Sequence, residues 1–297
     1  MAWLQLTLES DSEGARQASE LLELFGAISV SLSAVNKQLL IEQHPDQQQE
    51  LWDQTQVTAL LHKDTDLDVL LASLRKRLGP APLGNQKIAL LPDKDWVREY
   101  QLSQGPRLFG NRLCVCPGWC IPPDNIDYVL LLDPGLAFGS GSHVTTGLCL
   151  DWLVATNIEG KLVIDYGCGS GILAIAAALL GARHAWALDI DPQALQAATA
   201  NADRNRVSDK LTIDLPDKNN LPVVDILLAN ILLQPLQELA ARFAALVLPD
   251  GNIVLSGILA SQAEECLATY ATWFNMAAPV FQREWALLTG RRNCSPI

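Results

Sequence analysis

The stretch KLVIDYGCGSGILAIAAALLGA, residues 161–182, decides the fold of this 297-residue chain. Its apolar start predicts a buried strand, and ILAIAAALL predicts a helix that ends at Gly181. Gly167, Gly169 and Gly171 lie between the two, and they predict a tight turn because glycine accepts unusual backbone angles and has no Cβ to exclude a ligand. A strand, a glycine turn and a helix in this order are typical of α/β domains that seat a nucleotide-like cofactor.

The spacing of the glycines indicates which cofactor the turn would hold. Turns that bind a dinucleotide pyrophosphate read G-x-G-x-x-G, whereas this turn reads G-x-G-x-G and has Asp165 two residues before it. A carboxylate there would repel a pyrophosphate and would suit a cofactor with a positively charged amine. S-adenosylmethionine has such an amine and no phosphate, so the stretch favours that cofactor. A glycine turn with a purely structural role is the alternative.

A carboxylate follows the next apolar strand. Asp189 ends the run HAWALD, eighteen positions beyond Gly171. An acid about twenty residues on, at the carboxyl end of a strand, can accept hydrogen bonds from ribose hydroxyls. A cap or turn residue is the alternative for Asp189. Asp191, which Pro192 follows, has the residue type of a helix N-cap.

An asparagine ends the apolar run VVDILLAN. Asn230 falls on the same predicted sheet edge as Gly167 and Asp189, and its amide can donate to and accept from a ligand at once. Ile231 and Leu232 follow it, where methyltransferases that act on bases or glutamine often carry two prolines. This difference argues against a base or a glutamine as the substrate.

A glycine-rich loop, DPGLAFGSGSHVTT at residues 133–146, leaves one apolar strand and enters a helix. Its glycines would allow it to fold closely over a ligand. For Thr145 or Thr146, a cap of the helix that follows is the structural alternative to a role in ligand binding. His143 is a candidate base, but a lone loop histidine is more often a packing or hydrogen-bonding residue.

The whole chain divides into two patterns. Residues 1–92 read β-α-β-β-α-β, the ferredoxin-like order, and predict a substrate-recognition domain, while residues 93–104 predict a linker helix. Residues 105–297 predict a hairpin that turns at Gly110 and Asn111, followed by a doubly wound α/β domain. Its parallel strands are predicted at YVLLLD, KLVIDYG, HAWALDID, VVDILLAN and GNIVLSGI.

The composition restricts the classes of function. The formal net charge of −12 disfavours broad nucleic-acid binding and weakly favours a basic partner. Seven cysteines, an odd number spread along the chain, predict reduced thiols rather than a disulfide framework. RLCVCPGWC stands without a second Cys or His pair at zinc-finger spacing, so no metal site is expected. The absence of a signal peptide and of a bilayer-length apolar run predicts a cytoplasmic protein.

Four segments together resemble a known family. In order and spacing, DPGLAFGSGSHVTT, VIDYGCGSGILAIAA, ALDIDPQALQAATANADRN and ANILLQPL are similar to the bacterial methyltransferases of large-subunit ribosomal protein eleven, and the resemblance runs the whole length. It implies a class I, Rossmann-like S-adenosylmethionine-dependent methyltransferase domain behind a ferredoxin-like domain. It also implies methyl transfer to lysine side-chain and N-terminal amines of a basic ribosomal protein, without membrane or direct nucleic-acid binding. The cofactor contacts that the resemblance implies are Thr146, Gly167, Asp189 and Asn230.

The chain departs from the family pattern at several positions, which are Ser140, Ser142, Val144, Leu233 and Gln234. The bulk of the last two would narrow the substrate side, so we expect these changes to affect substrate scope more than cofactor binding. Three other functions remain open. An RNA methyltransferase on the same fold needs a basic face, a nicotinamide oxidoreductase needs the missing glycine pattern, and a degenerate binding module would keep the fold without the chemistry.

Overall fold

A computed structural model describes residues 3–35, 51–79, 85–92, 105–133, 143–216 and 221–293. The chain forms two compact units, Met1–Glu99 and Tyr100–Ile297. The predicted linker helix at 93–104 lies outside the described residues, and so does the polar stretch EQHPDQQQE at 42–50, whose composition predicts a loop. No helix among the described residues is long and apolar enough to cross a membrane.

The first unit has the predicted order of elements. They are β1 (Trp3–Ser10), α1 (Ser12–Leu24), β2 (Ser29–Ala34), β3 (Thr55–His62), α2 (Leu67–Leu78) and β4 (Lys87–Leu91). The strands pair antiparallel in the order β2-β3-β1-β4. The alternation of apolar and polar residues in β1 brings Leu6 and Leu8 into one core with residues of both helices.

Local signals set the helix ends of this unit. Asp11 caps α1 by accepting the Gly14 N–H at 2.7 Å. A glycine after the helical pattern SEGARQASELLELF predicts that the helix ends at Gly26, and the φ of +81° at Gly26 confirms this. The alternation in AISVSLS predicts that Ile28 shares one face of β2 with Val30 and Leu32. This prediction is wrong: Ile28 precedes the strand and is 57% exposed, because it lies in the turn that enters an edge strand.

The second unit is built on a mostly parallel sheet. Its elements are β5 (Arg107–Phe109), β6 (Leu113–Cys116), β7 (Tyr128–Leu131), α3 (Val144–Ala155), β8 (Leu162–Tyr166), α4 (Ile172–Leu179), β9 (His184–Leu188), α5 (Pro192–Arg204), β10 (Leu211–Asp214), β11 (Val224–Asn230), α6 (Leu233–Leu246), β12 (Val247–Leu259), α7 (Ala263–Tyr270), β13 (Phe274–Met276), β14 (Val280–Gln282) and β15 (Trp285–Arg292), with 3₁₀ turns at Ser208–Lys210 and Ala260–Gln262. The main sheet has the order β10-β9-β8-β11-β12-β15-β13, and β14 also pairs with β15.

Both faces of this sheet are buried, as the near-continuous apolar strands predict. In β8, Val163 packs in a core with α3 and α4, whereas its neighbour Ile164 packs on the other face with residues of α6 and α7. Strands β8 to β12 run parallel, and β15 joins them antiparallel. The predicted doubly wound α/β fold is confirmed.

The prediction that YVLLLD belongs to the main sheet is wrong. This segment forms β7, which pairs parallel with β6 in a separate sheet of three strands, β5-β6-β7. On the edge of β7 that does not face β6, the backbone of Leu131 bonds to a side chain rather than to another strand. Its N–H donates to Asn205 Oδ1 at 2.7 Å, and its carbonyl accepts from Asn205 Nδ2 at 2.8 Å. The amide at the end of α5 therefore satisfies the free edge of β7 at this point.

The hairpin between β5 and β6 is confirmed. Gly110 and Asn111 have φ of +53° and +55°, and the Arg112 N–H donates to the Phe109 carbonyl at 3.1 Å. Two successive residues with positive φ match the right-handed twist of the flanking strands, which explains why a Gly-Asn pair marks this turn in the sequence.

Candidate functional site

The sheet topology brings three of the predicted residues to one edge. Strands β9, β8 and β11 are neighbours and run parallel, so their carboxyl ends lie side by side. Asp189 follows β9, Gly167 follows β8, and Asn230 is the last residue of β11. Thr146 joins them from the first turn of α3, where its Oγ1 accepts from Asn230 Nδ2 at 3.4 Å. Ligands of open α/β sheets bind at this edge.

The glycine turn after β8 is fastened by its own backbone. The N–H groups of Gly167 and Cys168 both donate to the Leu188 carbonyl, at 2.7 and 2.9 Å. Gly167 has φ +77°, and a Cβ at this position would come within 2.3 Å of Ile231 Cγ2. Both the backbone angle and the space around it therefore require glycine here.

Asp189 holds this turn from the neighbouring strand. Its Oδ2 accepts the Gly169 N–H at 2.8 Å, and its Oδ1 accepts the Asp191 N–H at 3.0 Å. The turn role that sequence left as an alternative is thus observed. An ionised carboxylate has about four acceptor sites, so Asp189 keeps capacity for ribose hydroxyls, and that contact stays a prediction. Asp191 caps α5 by accepting the Gln193 N–H at 2.8 Å, as predicted.

Asp165 lies beneath the turn and is 1% exposed. Its Oδ2 accepts the Ala174 N–H at 3.1 Å, in the first turn of α4, where the helix dipole favours a negative charge. Burial raises the pKa of Asp165 to about 7, although this hydrogen bond opposes the shift. Its Oδ1 is buried and has no hydrogen-bond partner among the described residues. An interaction of Asp165 with a cofactor amine stays a prediction.

Asn230 and Thr146 form the acceptor corner, the name used below for this pair of side chains. Thr146 is 1% exposed, and the hydrogen bond that joins the pair is long. Asn230 Oδ1 is buried without a partner among the described residues. Buried acceptors in native proteins are nearly always satisfied, so an unsatisfied one at the sheet edge fits an N–H supplied by a ligand. The unpaired oxygen of Asp165 fits a cofactor that carries an amine, and the unpaired oxygen of Asn230 fits a substrate that carries one.

The threonine cap of α3 that the sequence left open as an alternative is not observed. Thr145 and Thr146 lie inside the first turn and are each 1% exposed, so neither is free to take the boundary position. His143 is the N-cap: its Nδ1 accepts the Thr145 N–H at 3.4 Å and lies 2.7 Å from Thr145 Oγ1. The His143 ring meets the Trp285 ring edge-on at 4.7 Å. Burial lowers the pKa of His143, and the nearby Glu284 carboxylate opposes the shift.

The departures from the family pattern fall in different settings. Ser140 and Ser142 lie outside the described residues, and Val144 is the first residue of α3. Leu233 begins α6 and packs against the core on that face. Gln234 is exposed, and its Nε2 donates to Glu238 Oε1 at 2.9 Å. The expectation that Leu233 and Gln234 narrow the substrate side stays a prediction.

The sequence patterns gave no role to Gly257 and noted Ile231 only because it stands where other methyltransferases often carry a proline. Ile231 lies against the glycine turn, and Gly257 of β12 lies against the backbone of Ile231. Gly257 has φ +85° and falls where the register of β12 and β15 shifts between Leu255 and Ile258. A glycine inside a strand pattern is a signal for a bulge or a close backbone approach, and GNIVLSGI carries that signal.

The family model for ribosomal protein L11 methyltransferase (PrmA) matches residues 2–293. The chain belongs to this family. It is 46% identical to the ribosomal protein L11 methyltransferase of Marinobacter nauticus over 296 residues, which is 98% of this chain and 99% of that protein. It is 44% identical to the corresponding protein of Escherichia coli (strain SMS-3-5 / SECEC) over 294 residues, which is 99% of this chain and all of that protein.

A solved structure agrees with the assignment. The ribosomal protein L11 methylase of Lactobacillus delbrueckii subsp. bulgaricus is 31% identical and superposes with a TM-score of 0.57, covering 64% of this chain and 100% of that one. The resemblance read from the sequence is confirmed, and the chain is a methyltransferase with S-adenosylmethionine as its cofactor. The family favours this function over an RNA methyltransferase.

Proposed function

We propose that this methyltransferase transfers methyl groups from S-adenosylmethionine to lysine side-chain and N-terminal amines of ribosomal protein L11. The relatives named above support this substrate. The observation that carries the proposal is the acceptor corner: Asn230 ends β11 beside the glycine turn, and its buried Oδ1 has no partner among the described residues. A neutral amide oxygen in that position suits the N–H of an amine.

The residues proposed to hold the cofactor are Thr146, Gly167, Asp189 and Asn230. Gly167 has no Cβ, so a ligand can approach the backbone of the turn closely. Asp189 accepts the Gly169 N–H and still has acceptor sites for hydroxyl groups. Thr146 holds the Asn230 amide through its hydroxyl. S-adenosylmethionine supplies an electrophilic methyl group on a sulfonium sulfur.

The methyl acceptor must be a neutral amine, whereas a free lysine has a pKa of about 10.4. Partial burial of the amine at the sheet edge disfavours its charged form and lowers that pKa. Asn230 Oδ1 then accepts an N–H of the amine and directs the nitrogen lone pair, so that positioning supplies much of the rate. Thr146 contacts the amide that performs this task through one long hydrogen bond of 3.4 Å.

The substrate partner is proposed to be basic. The net charge of −12 attracts positively charged proteins over long range and speeds their encounter with the enzyme. The unit at residues 1–92 is proposed to recognise that partner, with 93–104 as the linker and 105–297 as the methyltransferase domain. A ribosomal-protein substrate also supports a cytoplasmic location.

The test is methyl transfer from labelled S-adenosylmethionine to separated large-subunit ribosomal proteins, with ribosomal RNA as a second acceptor in a parallel reaction. We expect one labelled protein, L11, and unlabelled RNA. Label in the RNA alone would overturn the proposal in favour of the RNA alternative. Cofactor binding by calorimetry without any labelled protein would keep the fold and the cofactor and reject the substrate.

A further inference from the structure

Ile231, which follows Asn230, lies between two glycines that come from different parts of the unit. On one side, a Cβ at Gly167 would lie 2.3 Å from Ile231 Cγ2. On the other, a Cβ at Gly257 would lie 2.4 Å from the Ile231 carbonyl oxygen and 2.8 Å from its carbonyl carbon and its nitrogen. The Ile231 side chain thus packs against the glycine turn, and its backbone packs against β12.

The close approach at Gly257 coincides with an irregularity of β12. Asn230 pairs with Ser256 in the parallel ladder of β11 and β12, and Gly257 is the next residue. Gly257 has φ +85°, and the pairing of β12 with β15 shifts register at this point. Only glycine adopts this backbone angle readily and also lacks the Cβ that would clash with the Ile231 backbone.

We propose that Gly257 and Ile231 are positioning residues that set the orientation of the Asn230 amide. This inference rests on the proposed function, in which Asn230 directs the acceptor amine. The side chain of Asn230 has only a long hydrogen bond to Thr146 among the described residues, so its own polar contacts restrain the amide weakly. The backbone of Asn230 pairs with Ser256 in the ladder, and the chain directly after it is held at Ile231, which is packed on both sides. Since Ile231 also touches Gly167, the same contact couples the acceptor corner to the cofactor turn.

The experiment is a double-mutant cycle between Gly257→Ala and Asn230→Ala, with turnover on L11 as the readout. The added Cβ forces the Ile231 backbone away, and a misplacement of about 1 Å can cost on the order of a hundredfold in rate. We expect Gly257→Ala to lower turnover at least about tenfold in the natural background and less than about twofold when Asn230 is already alanine, because coupled sites are not additive.

Gly160→Ala is the matched control. Gly160 has φ +70°, close to that of Gly257, but a Cβ there meets no atom within 4 Å among the described residues. This variant therefore carries the backbone strain without the contact, and its turnover should match that of the natural chain. A Gly257→Ala effect no larger than that of Gly160→Ala, or one of equal size in both Asn230 backgrounds, would overturn the inference.

Two further measurements test the positioning role if Gly257→Ala does not fold or if L11 is not the substrate. If Gly257→Ala fails to fold, as judged by circular dichroism, Ile231→Ala runs the same cycle without an added atom. The side-chain amide resonances of Asn230, observed with isotope-labelled asparagine and assigned by their loss in Asn230→Ala, report orientation without any substrate. We expect them to shift in Gly257→Ala and not in Gly160→Ala. Unshifted resonances would reject the positioning role even if L11 proved not to be the substrate.

Discussion

The glycine turn and the acceptor corner lie side by side at one sheet edge, yet they are held very differently. Gly167, Cys168 and Gly169 all donate backbone N–H groups at 2.7 to 2.9 Å to Leu188 or Asp189. The side chain of Asn230, by contrast, has one 3.4 Å contact with Thr146 and a buried oxygen without a partner among the described residues. The turn that we propose for the cofactor is bonded by the protein itself, whereas the corner that we propose for the substrate has a polar atom to be satisfied.

The largest effect is expected for Gly167→Ala, which alters the glycine turn after β8. The new Cβ would clash with Ile231 Cγ2 and would sit on a residue with φ +77°. We expect affinity for S-adenosylmethionine, measured by calorimetry, to fall on the order of a hundredfold, and stability to fall by about 1–3 kcal/mol. Gly160→Ala controls for backbone strain alone. Unchanged affinity would show that the turn does not need to be glycine for cofactor binding.

The next effect is expected for Asn230→Ala, which removes the acceptor corner. If Asn230 directs the amine, turnover on L11 should fall by roughly ten- to a hundredfold, and affinity for the cofactor by a smaller factor. Steady-state kinetics and calorimetry on the same preparation give the two numbers. Equal factors for turnover and cofactor binding would leave Asn230 as a cofactor residue only, and the contrast between the two sides would disappear.

A smaller effect is expected for Asp189→Asn, which keeps the shape of the side chain and removes its charge. The Gly169 N–H would lose a charged acceptor, and ribose hydroxyls would lose one as well. We expect cofactor affinity to fall about tenfold, or about 1.4 kcal/mol. Asp191→Asn is the matched control two residues away, because asparagine caps a helix as well as aspartate does. Similar losses in the two variants would argue against a special role for Asp189.

The last prediction is for a pH slope rather than for an affinity, and it concerns Asp165, whose Oδ1 has no hydrogen-bond partner among the described residues. Its pKa is raised from an ordinary value near 3.9 to about 7. Between these values the folded state binds more protons than the unfolded state, so this group's contribution to stability falls as pH rises from about 4 to about 7. We expect a loss of roughly 1 kcal/mol per pH unit that is absent in Asp165→Asn, measured by urea unfolding between pH 5 and pH 7.

The Asp165 prediction has its own control. Asp191→Asn changes an exposed carboxylate at the start of α5 and should keep the pH slope of the natural chain. If Asp165→Asn shows the same slope as the natural chain, the carboxylate titrates near its ordinary value and its Oδ1 is satisfied. The polar atoms of Asp165 and of the glycine turn would then all be hydrogen-bonded, in clear contrast to the unsatisfied oxygen of Asn230.

Features that depend on neighbouring residues were predictable from the sequence. The strand, the glycine turn and the helix at 161–182, the Asp191 cap and the hairpin at Gly110 and Asn111 are all confirmed. Each follows from periodicity or from backbone angles that few residue types accept. The placement of Gly167, Asp189 and Asn230 on one edge was also predictable, because parallel strands end on the same side.

Features that depend on residues far apart in the chain were not predictable from the sequence. The sequence offered a threonine cap for α3 as one alternative, but both threonines are buried in the first turn, and His143 is the cap. It placed YVLLLD in the main sheet, but β6 offered a parallel partner and Asn205 bound the outer edge at Leu131. Gly257 carries the general signal of a glycine within a strand, but the sequence does not show its partner, the Ile231 backbone twenty-six positions away.

The sequence by itself therefore determined the fold class, the family, and which residues stand at the carboxyl ends of the strands. Those properties follow from local backbone preference and from the order of elements along the chain. The tertiary structure alone decided how tightly each side of the site is held. Hydrogen bonds to the Leu188 carbonyl, the contact of Ile231 with two glycines and the unsatisfied Asn230 oxygen all join segments far apart in the chain. No pattern within one segment encodes the distance between two.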